Sequence, residues 1–159
     1  PAYKVRPAPE VLPGRWMTGT QSHEAIAGVG ACVEYLASLG EGTTRRGRLL
    51  SAMERIRAYE STLVTRLLTG LRAMPGMRVW GSQSAEGRAP TVAVTRDGWN
   101  ARDLATRLAE HEIYAWSGHF YALELAEWSG TLAHGGFLRL GLMHYNTAHE
   151  VDRVLEILQ

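Results

Sequence analysis

Cysteine is almost absent from this 159-residue chain: Cys32 stands alone, which excludes a disulfide framework and a cysteine-rich zinc site. Lysine is equally scarce. Lys4 is the only one among 17 Lys and Arg residues, so chemistry that needs an amine must use Lys4 or take a lysine from elsewhere. An excess of charge is also missing, because 16 Asp and Glu leave a net charge of +1. That balance gives no bulk electrostatic case for binding nucleic acid or an anionic membrane. The densest basic group, Arg45, Arg46 and Arg48, reads as the solvated start of a helix. No apolar run approaches the roughly 20 residues of a membrane span, and the chain lacks the basic-then-apolar start of a signal peptide. A cytoplasmic location is expected. Pro1 stands where an initiator Met would, which fits a fragment and fits methionine removal alike.

Histidine is present but scattered. His23, His111, His119, His134, His144 and His149 form no His-x-x-x-His pair, so no metal site is expected. A serine nucleophile is not indicated either, for want of a Gly-x-Ser-x-Gly elbow.

What remains is an ordinary globular composition, 45% hydrophobic and 21% charged, enough for one domain or one and a piece. Pro1, Pro7, Pro9 and Pro13 fix φ and remove N–H donors, so the first 13 residues read as an extended arm lying against something else. Ile26, Val29, Val33, Leu36 and Ala37 recur at helical spacing. Ala27, Gly28 and Gly30 in the same stretch suggest close packing, and Gly40 and Gly42 end the helix. Cys32 falls on that stripe beside Val33 and reads as a small buried hydrophobe rather than a nucleophile. A second helix is expected from about Arg45 to Ala73, with Leu49, Met53, Ile56, Leu63, Leu67 and Leu71 on one side, stopped by Pro75-Gly76.

From Met77 the pattern shortens. Strands are expected at 78–80, 91–95, 113–116 and 137–142, with a mobile Gly- and Ser-rich loop at 81–87. Asn100 with Asp103 caps a helix running to about His111, and a short helix ends near Trp128. Thr147-x-x-Glu150 is a capping box that opens a final helix carrying Val151, Val154, Leu155 and Leu158. The order β-β-α-β-(α)-β-α makes an α/β chain ending in a small α+β domain, one sheet with helices on one face.

Three places invite chemistry. Thr18-Gly19-Thr20-Gln21, just before a helix, offers N–H groups and hydroxyls to an anion; it is equally a plain N-cap built on Thr20 or Ser22. Arg139 sits mid-strand, where alternation turns it away from Leu138 and Leu140, as either a solvated position or a carboxylate clamp. His119, in the turn 117–121, has a structural hydrogen bond as its simpler explanation.

Gly14-Arg15-Trp16-Met17-Thr18-Gly19-Thr20-Gln21, then Ser117-Gly118-His119-Phe120-Tyr121-Ala122, then Arg139-Leu140-Gly141-Leu142-Met143-His144-Tyr145-Asn146-Thr147-x-x-Glu150-Val151-Asp152 together resemble the class V aminotransferases. The likeness is to the cysteine desulfurase-like branch of these pyridoxal-phosphate (PLP) enzymes, and to its C-terminal portion only. The resemblance implies an arm and a helix from the end of the large domain (1–42), a long connecting helix (43–76) and the small C-terminal domain (77–159). It implies that Gly19 and Thr20 reach the phosphate of PLP in the partner subunit of a homodimer. It further implies that Arg139 binds the α-carboxylate of an amino-acid substrate, and that His119 faces the substrate side. The family's Schiff-base lysine lies upstream, and Lys4 falls after that motif, so no catalysis is expected from this segment alone. Tyr121 stands where desulfurases of this kind place a cysteine nucleophile, so the resemblance does not extend to persulfide chemistry. The competing expectation is a standalone α/β binding or interaction module without PLP.

Overall fold

Ser22 opens the first helix: its hydroxyl accepts the Ala25 N–H at 3.4 Å, and α1 runs from His23–Ser38. The computed structural model describes residues 3–17 and 19–159, so Pro1 and Thr18 lie outside the described residues. Helix α2 covers Arg45–Ala73, as its apolar spacing predicts. The chain divides into two units, Pro1–Met53 and Glu54–Gln159, and the division falls inside α2.

In the first unit the expected apolar stripe of α1 exists, but only Ala37 is buried. Ile26 and Val29 stay 52% and 65% exposed. Cys32, expected to be buried, is exposed. Nor is the small-residue stretch closely packed: a Cβ on Gly28 or Gly30 would meet nothing within 4 Å. The periodicity yields the expected helix, yet among the described residues of the unit its apolar stripe stays largely uncovered. Gly40 is different. A Cβ there would overlap the backbone of Arg48 and Ala52, so only glycine permits this tight return from α1 to α2. An Arg45–Glu34 ion pair at 3.0 Å joins the same two helices.

The second unit is built on a four-stranded antiparallel sheet. Its strands are β1 (Met77–Trp80), β2 (Thr91–Arg96), β3 (Trp116–Gly118) and β4 (Phe137–Gly141), in spatial order β1-β2-β4-β3. Between them come α3 (Ala101–Ala109) and α4 (Leu123–Trp128), and α5 (Ala148–Leu158) closes the chain. Asn100 caps α3 through its side chain to Arg102 N–H at 2.9 Å. Thr147 and Glu150 form the expected reciprocal capping box of α5.

One sheet face carries Val79, Val92, Val94, Leu138 and Leu140. Against it pack Leu63, Val64, Leu67, Leu68 and Leu71 of α2, Leu104 and Leu108 of α3, and Val151 and Leu158 of α5. Each such side chain contributes roughly 1.5–3 kcal/mol by leaving water. Gly70 lets α5 approach, because a Cβ there would overlap the Leu155 side chain.

One strand differs from expectation. Residues 113–116 are apolar enough to read as β, but β3 begins at Trp116. Ile113 instead donates its N–H to Leu108 O at 3.0 Å, closing the end of α3, and Glu112 takes φ 62° in that turn. Ile113 and Ala115 still pack against the core, so their apolar character is used without strand pairing.

Candidate functional site

The sheet face opposite the core has its own row of side chains. Trp80 pairs with Ala93, Ala93 with Arg139, and Arg139 with Trp116. Directly paired residues project to the same face with their Cβ atoms about 5 Å apart. Burial along β4 alternates as this requires: Leu138 and Leu140 are buried and Arg139 is exposed.

The Arg139 guanidinium lies 4.3 Å from the centroid of the Phe120 ring. No carboxylate pairs with it among the described residues, whose ion pairs involve Lys4, Arg45 and Arg66. With the guanidinium set over the ring, none of its N–H donors forms a hydrogen bond among the described residues, which leaves them open to a carboxylate in a two-point fork.

Phe120 reaches Arg139 because the turn after β3 is unusual. Gly118 has φ 139°, and Phe120 and Tyr121 follow at φ 52° and 63°. Two consecutive non-glycine residues in the left-handed region cost energy that the surroundings must offset. The Ala122 N–H to His119 O bond at 2.8 Å closes the turn. Gly136 packs so closely on it that a Cβ would overlap the Gly118 carbonyl. His119 points its Nδ1 into a buried position with no hydrogen-bond partner, which does not match a structural hydrogen bond at that atom. Tyr121 projects outward, 99% exposed.

The two tryptophans of the row are in opposite situations. Trp80 donates its Nε1 hydrogen to Thr95 Oγ1 at 2.9 Å and meets Phe137 edge-on at 5.5 Å. Arg78 covers its ring at 3.9 Å. Trp116 is 70% exposed, and among the described residues it has neither a ring partner nor a hydrogen bond.

Gly19 and Thr20 belong to the first unit. Both are exposed. The helix cap that follows is supplied by Ser22, so Thr20 is not used as a cap. Gly19 O accepts from Gln21 Nε2 at 3.0 Å. Among the described residues, neither the two backbone N–H groups nor the Thr20 hydroxyl is engaged, a donor set that suits a phosphate. Lys4 is committed elsewhere in the arm: its Nζ bonds Ala8 O at 3.0 Å and pairs with Glu10 at 2.8 Å.

Away from the site, polar contacts tie α5 to α2 and cap its start. Arg66 grips Asp152 through two hydrogen bonds of 2.5 and 2.8 Å, and this bond holds the Asp152 carboxyl below its ordinary range. Glu150 is lowered as well, chiefly by the Thr147 backbone N–H and then by its hydroxyl.

Sequence reading thus singled out Arg139 and His119 but missed Phe120 and Trp116 as neighbours of the arginine. Alternation puts Arg139 on a face; which residues oppose it depends on strand register and on a turn whose φ values leave no mark in the sequence.

Comparison with known proteins gives this geometry a setting. The family model described as aminotransferase class-V matches residues 10–154. A cysteine desulfurase of Cronobacter sakazakii is 30% identical over 143 residues, covering 90% of this chain and 31% of its own length. A probable cysteine desulfurase of Synechocystis sp. is 32% identical over 149 residues, with 93% and 32% covered. Among solved structures, the apo cysteine desulfurase of Thermococcus onnurineus NA1 superposes with a TM-score of 0.75 at 25% identity, over 92% of this chain and 32% of that one. The Escherichia coli cysteine desulfurase CsdA shares the fold, at TM-score 0.67 and 24% identity. The chain spans about a third of the length of these relatives. No helix among the described residues is long and apolar enough to cross a membrane. By sequence and by fold, the chain belongs to the class-V aminotransferase family.

Proposed function

We propose that this chain is the C-terminal portion of a PLP-dependent, cysteine desulfurase-like enzyme that acts on an amino acid as a cytoplasmic homodimer. In this reading residues 1–42 end the large domain, 43–76 connect, and 77–159 form the small domain. Bound PLP supplies an electron sink for charge developing at the amino acid's Cα. The residues of this chain bind and orient. Gly19 and Thr20 offer N–H and hydroxyl donors to the phosphate of PLP held by the partner subunit. Arg139 takes the substrate carboxylate in its fork, with Phe120 fixing the plane of the guanidinium. His119 sits beside them on the substrate side. No catalysis is assigned to the segment by itself, because the Schiff-base lysine of such enzymes lies upstream and Lys4, in the arm that follows that motif, is a poor substitute.

The observation that carries this reading is Arg139 itself: an exposed strand arginine stacked on a ring and lacking an acidic partner among the described residues. The reading sets aside persulfide chemistry, because Tyr121 has no thiol to form one and Cys32 lies in the other unit.

The test uses the complete polypeptide carrying this segment. Arg139→Ala should raise the amino-acid KM about 10- to 150-fold, the range of a hydrogen bond to a charged group, while leaving the cofactor absorbance intact. Thr20→Ala should instead weaken PLP retention. An unchanged KM in the first variant removes the clamp, and undiminished cofactor binding in the second removes the phosphate role.

A further inference from the structure

Arg139 recognises a carboxylate but cannot say which amino acid bears it, and the cross-strand row supplies what is missing. On one side of Arg139 stands Ala93, which offers only a methyl group, and beyond it Trp80 is fully engaged. On the other side stands Trp116, directly paired with Arg139 and 70% exposed. Its ring meets no other ring and its indole N–H bonds nothing among the described residues. An aromatic surface of this size left in water costs hydrophobic free energy, and it is placed beside a cation that itself lacks an anion.

We infer that the amino acid held by Arg139 carries a flat, apolar side chain, an aromatic one, and that Trp116 is the specificity-determining residue that receives it. This inference rests on the carboxylate-clamp reading of Arg139. An α-amino acid carries its carboxylate and its side chain on one carbon. A ligand whose carboxylate meets the guanidinium can therefore lay its ring on the neighbouring indole within the cross-strand spacing. Offset stacking of two rings is favourable beyond the area it covers. Phe120 is already spent against the guanidinium, which leaves Trp116 as the exposed ring directly paired with Arg139. A small polar side chain would leave the indole uncovered and gain nothing from it.

The test is a binding measurement on the complete polypeptide by titration calorimetry, with 3-phenylpropanoate and propanoate as probes. Both carry the carboxylate, and only one carries a ring. The wild type should bind 3-phenylpropanoate at least about tenfold tighter, the scale on which an apolar contact discriminates. Trp116→Ala should bring the two affinities within about twofold, Trp116→Phe should keep most of the preference, and Arg139→Ala should weaken both probes alike. Equal affinities in the wild type, or a preference that survives Trp116→Ala, would overturn the inference. Because the wild-type ratio and Trp116→Phe are read separately, a folding failure of Trp116→Ala does not protect it. Should Arg139→Ala leave both probes unaffected, the clamp reading itself falls. Should it weaken both while the preference survives Trp116→Ala, only the aromatic assignment falls.

Discussion

The more apolar helix of this chain is the less buried one. Helix α1 is rich in Ala, with Glu24 and Glu34 as its acidic residues and no lysine or arginine, and it buries a single residue, Ala37. Helix α2 is arginine-rich, yet its Glu54–Ala73 part buries Leu63, Val64, Leu67, Leu68 and Leu71. Apolar content gives a helix something to bury; only a matching surface lets it do so. In the second unit that surface is the β-sheet. In the first unit no described residue covers Ile26 and Val29. On the reading proposed above, the partner surface of α1 belongs to the large domain.

The contrast can be tested by substitution, and the largest effect falls where burial is complete. Leu71→Ala, at 0% exposure, should lower the unfolding free energy by about 2–5 kcal/mol in urea denaturation, through lost transfer energy and the cavity left behind. A change under about 0.5 kcal/mol would mean that α2 is not seated on the sheet as described. Next comes the α5 box: Thr147→Ala removes the acceptor of the Glu150 N–H and should cost about 1 kcal/mol by the same measurement.

Acid should act on the same helix. Asp152 and Glu150 have carboxyls lowered by Arg66 and by Thr147 respectively, so the folded state favours their charged forms. Their stabilising contribution is complete above the ordinary carboxylate range and is lost as the pH falls through their lowered values, below about pH 4. Both are solvent-facing, so the loss should be small. Asp152→Asn should flatten the acid end of the stability curve slightly; an unaltered curve would show that the Arg66 pair carries no linkage.

The smallest effect is expected on α1. Val29→Ser, at a position 65% exposed, should stay within about 0.5 kcal/mol in this chain. In the complete polypeptide the same change should cost more, because the proposed large domain would cover the stripe. Equal small effects in both would remove that domain as the partner of α1.

Much of the second unit is legible from local chemistry. Thr147 and Glu150 specify their helix start, Asn100 another, and Pro75-Gly76 a stop, because caps and breakers act within three or four residues. Arg139 is legible as an outward strand position for the same reason, period two being local. The start of β3 is not. Residues 113–115 have strand composition, but pairing with β4 selects Trp116–Gly118, a choice made some twenty residues away in sequence. The exposure of Cys32 and of the α1 stripe is likewise hidden, since spacing defines a face without naming its partner. The stacking of Phe120 under Arg139 depends on two left-handed residues that no motif announces, and the unpartnered Nδ1 of His119 is visible only in three dimensions.

The clamp on which the functional reading depends separates shape from charge. Arg139→Lys in the complete polypeptide keeps the positive charge and removes the planar fork. If Arg139 holds a carboxylate in two-point fashion, the amino-acid KM should rise several-fold in Arg139→Lys and further in Arg139→Ala, with cofactor absorbance unchanged in both. A KM that stays at the wild-type value in the lysine variant and in the alanine variant would contradict it.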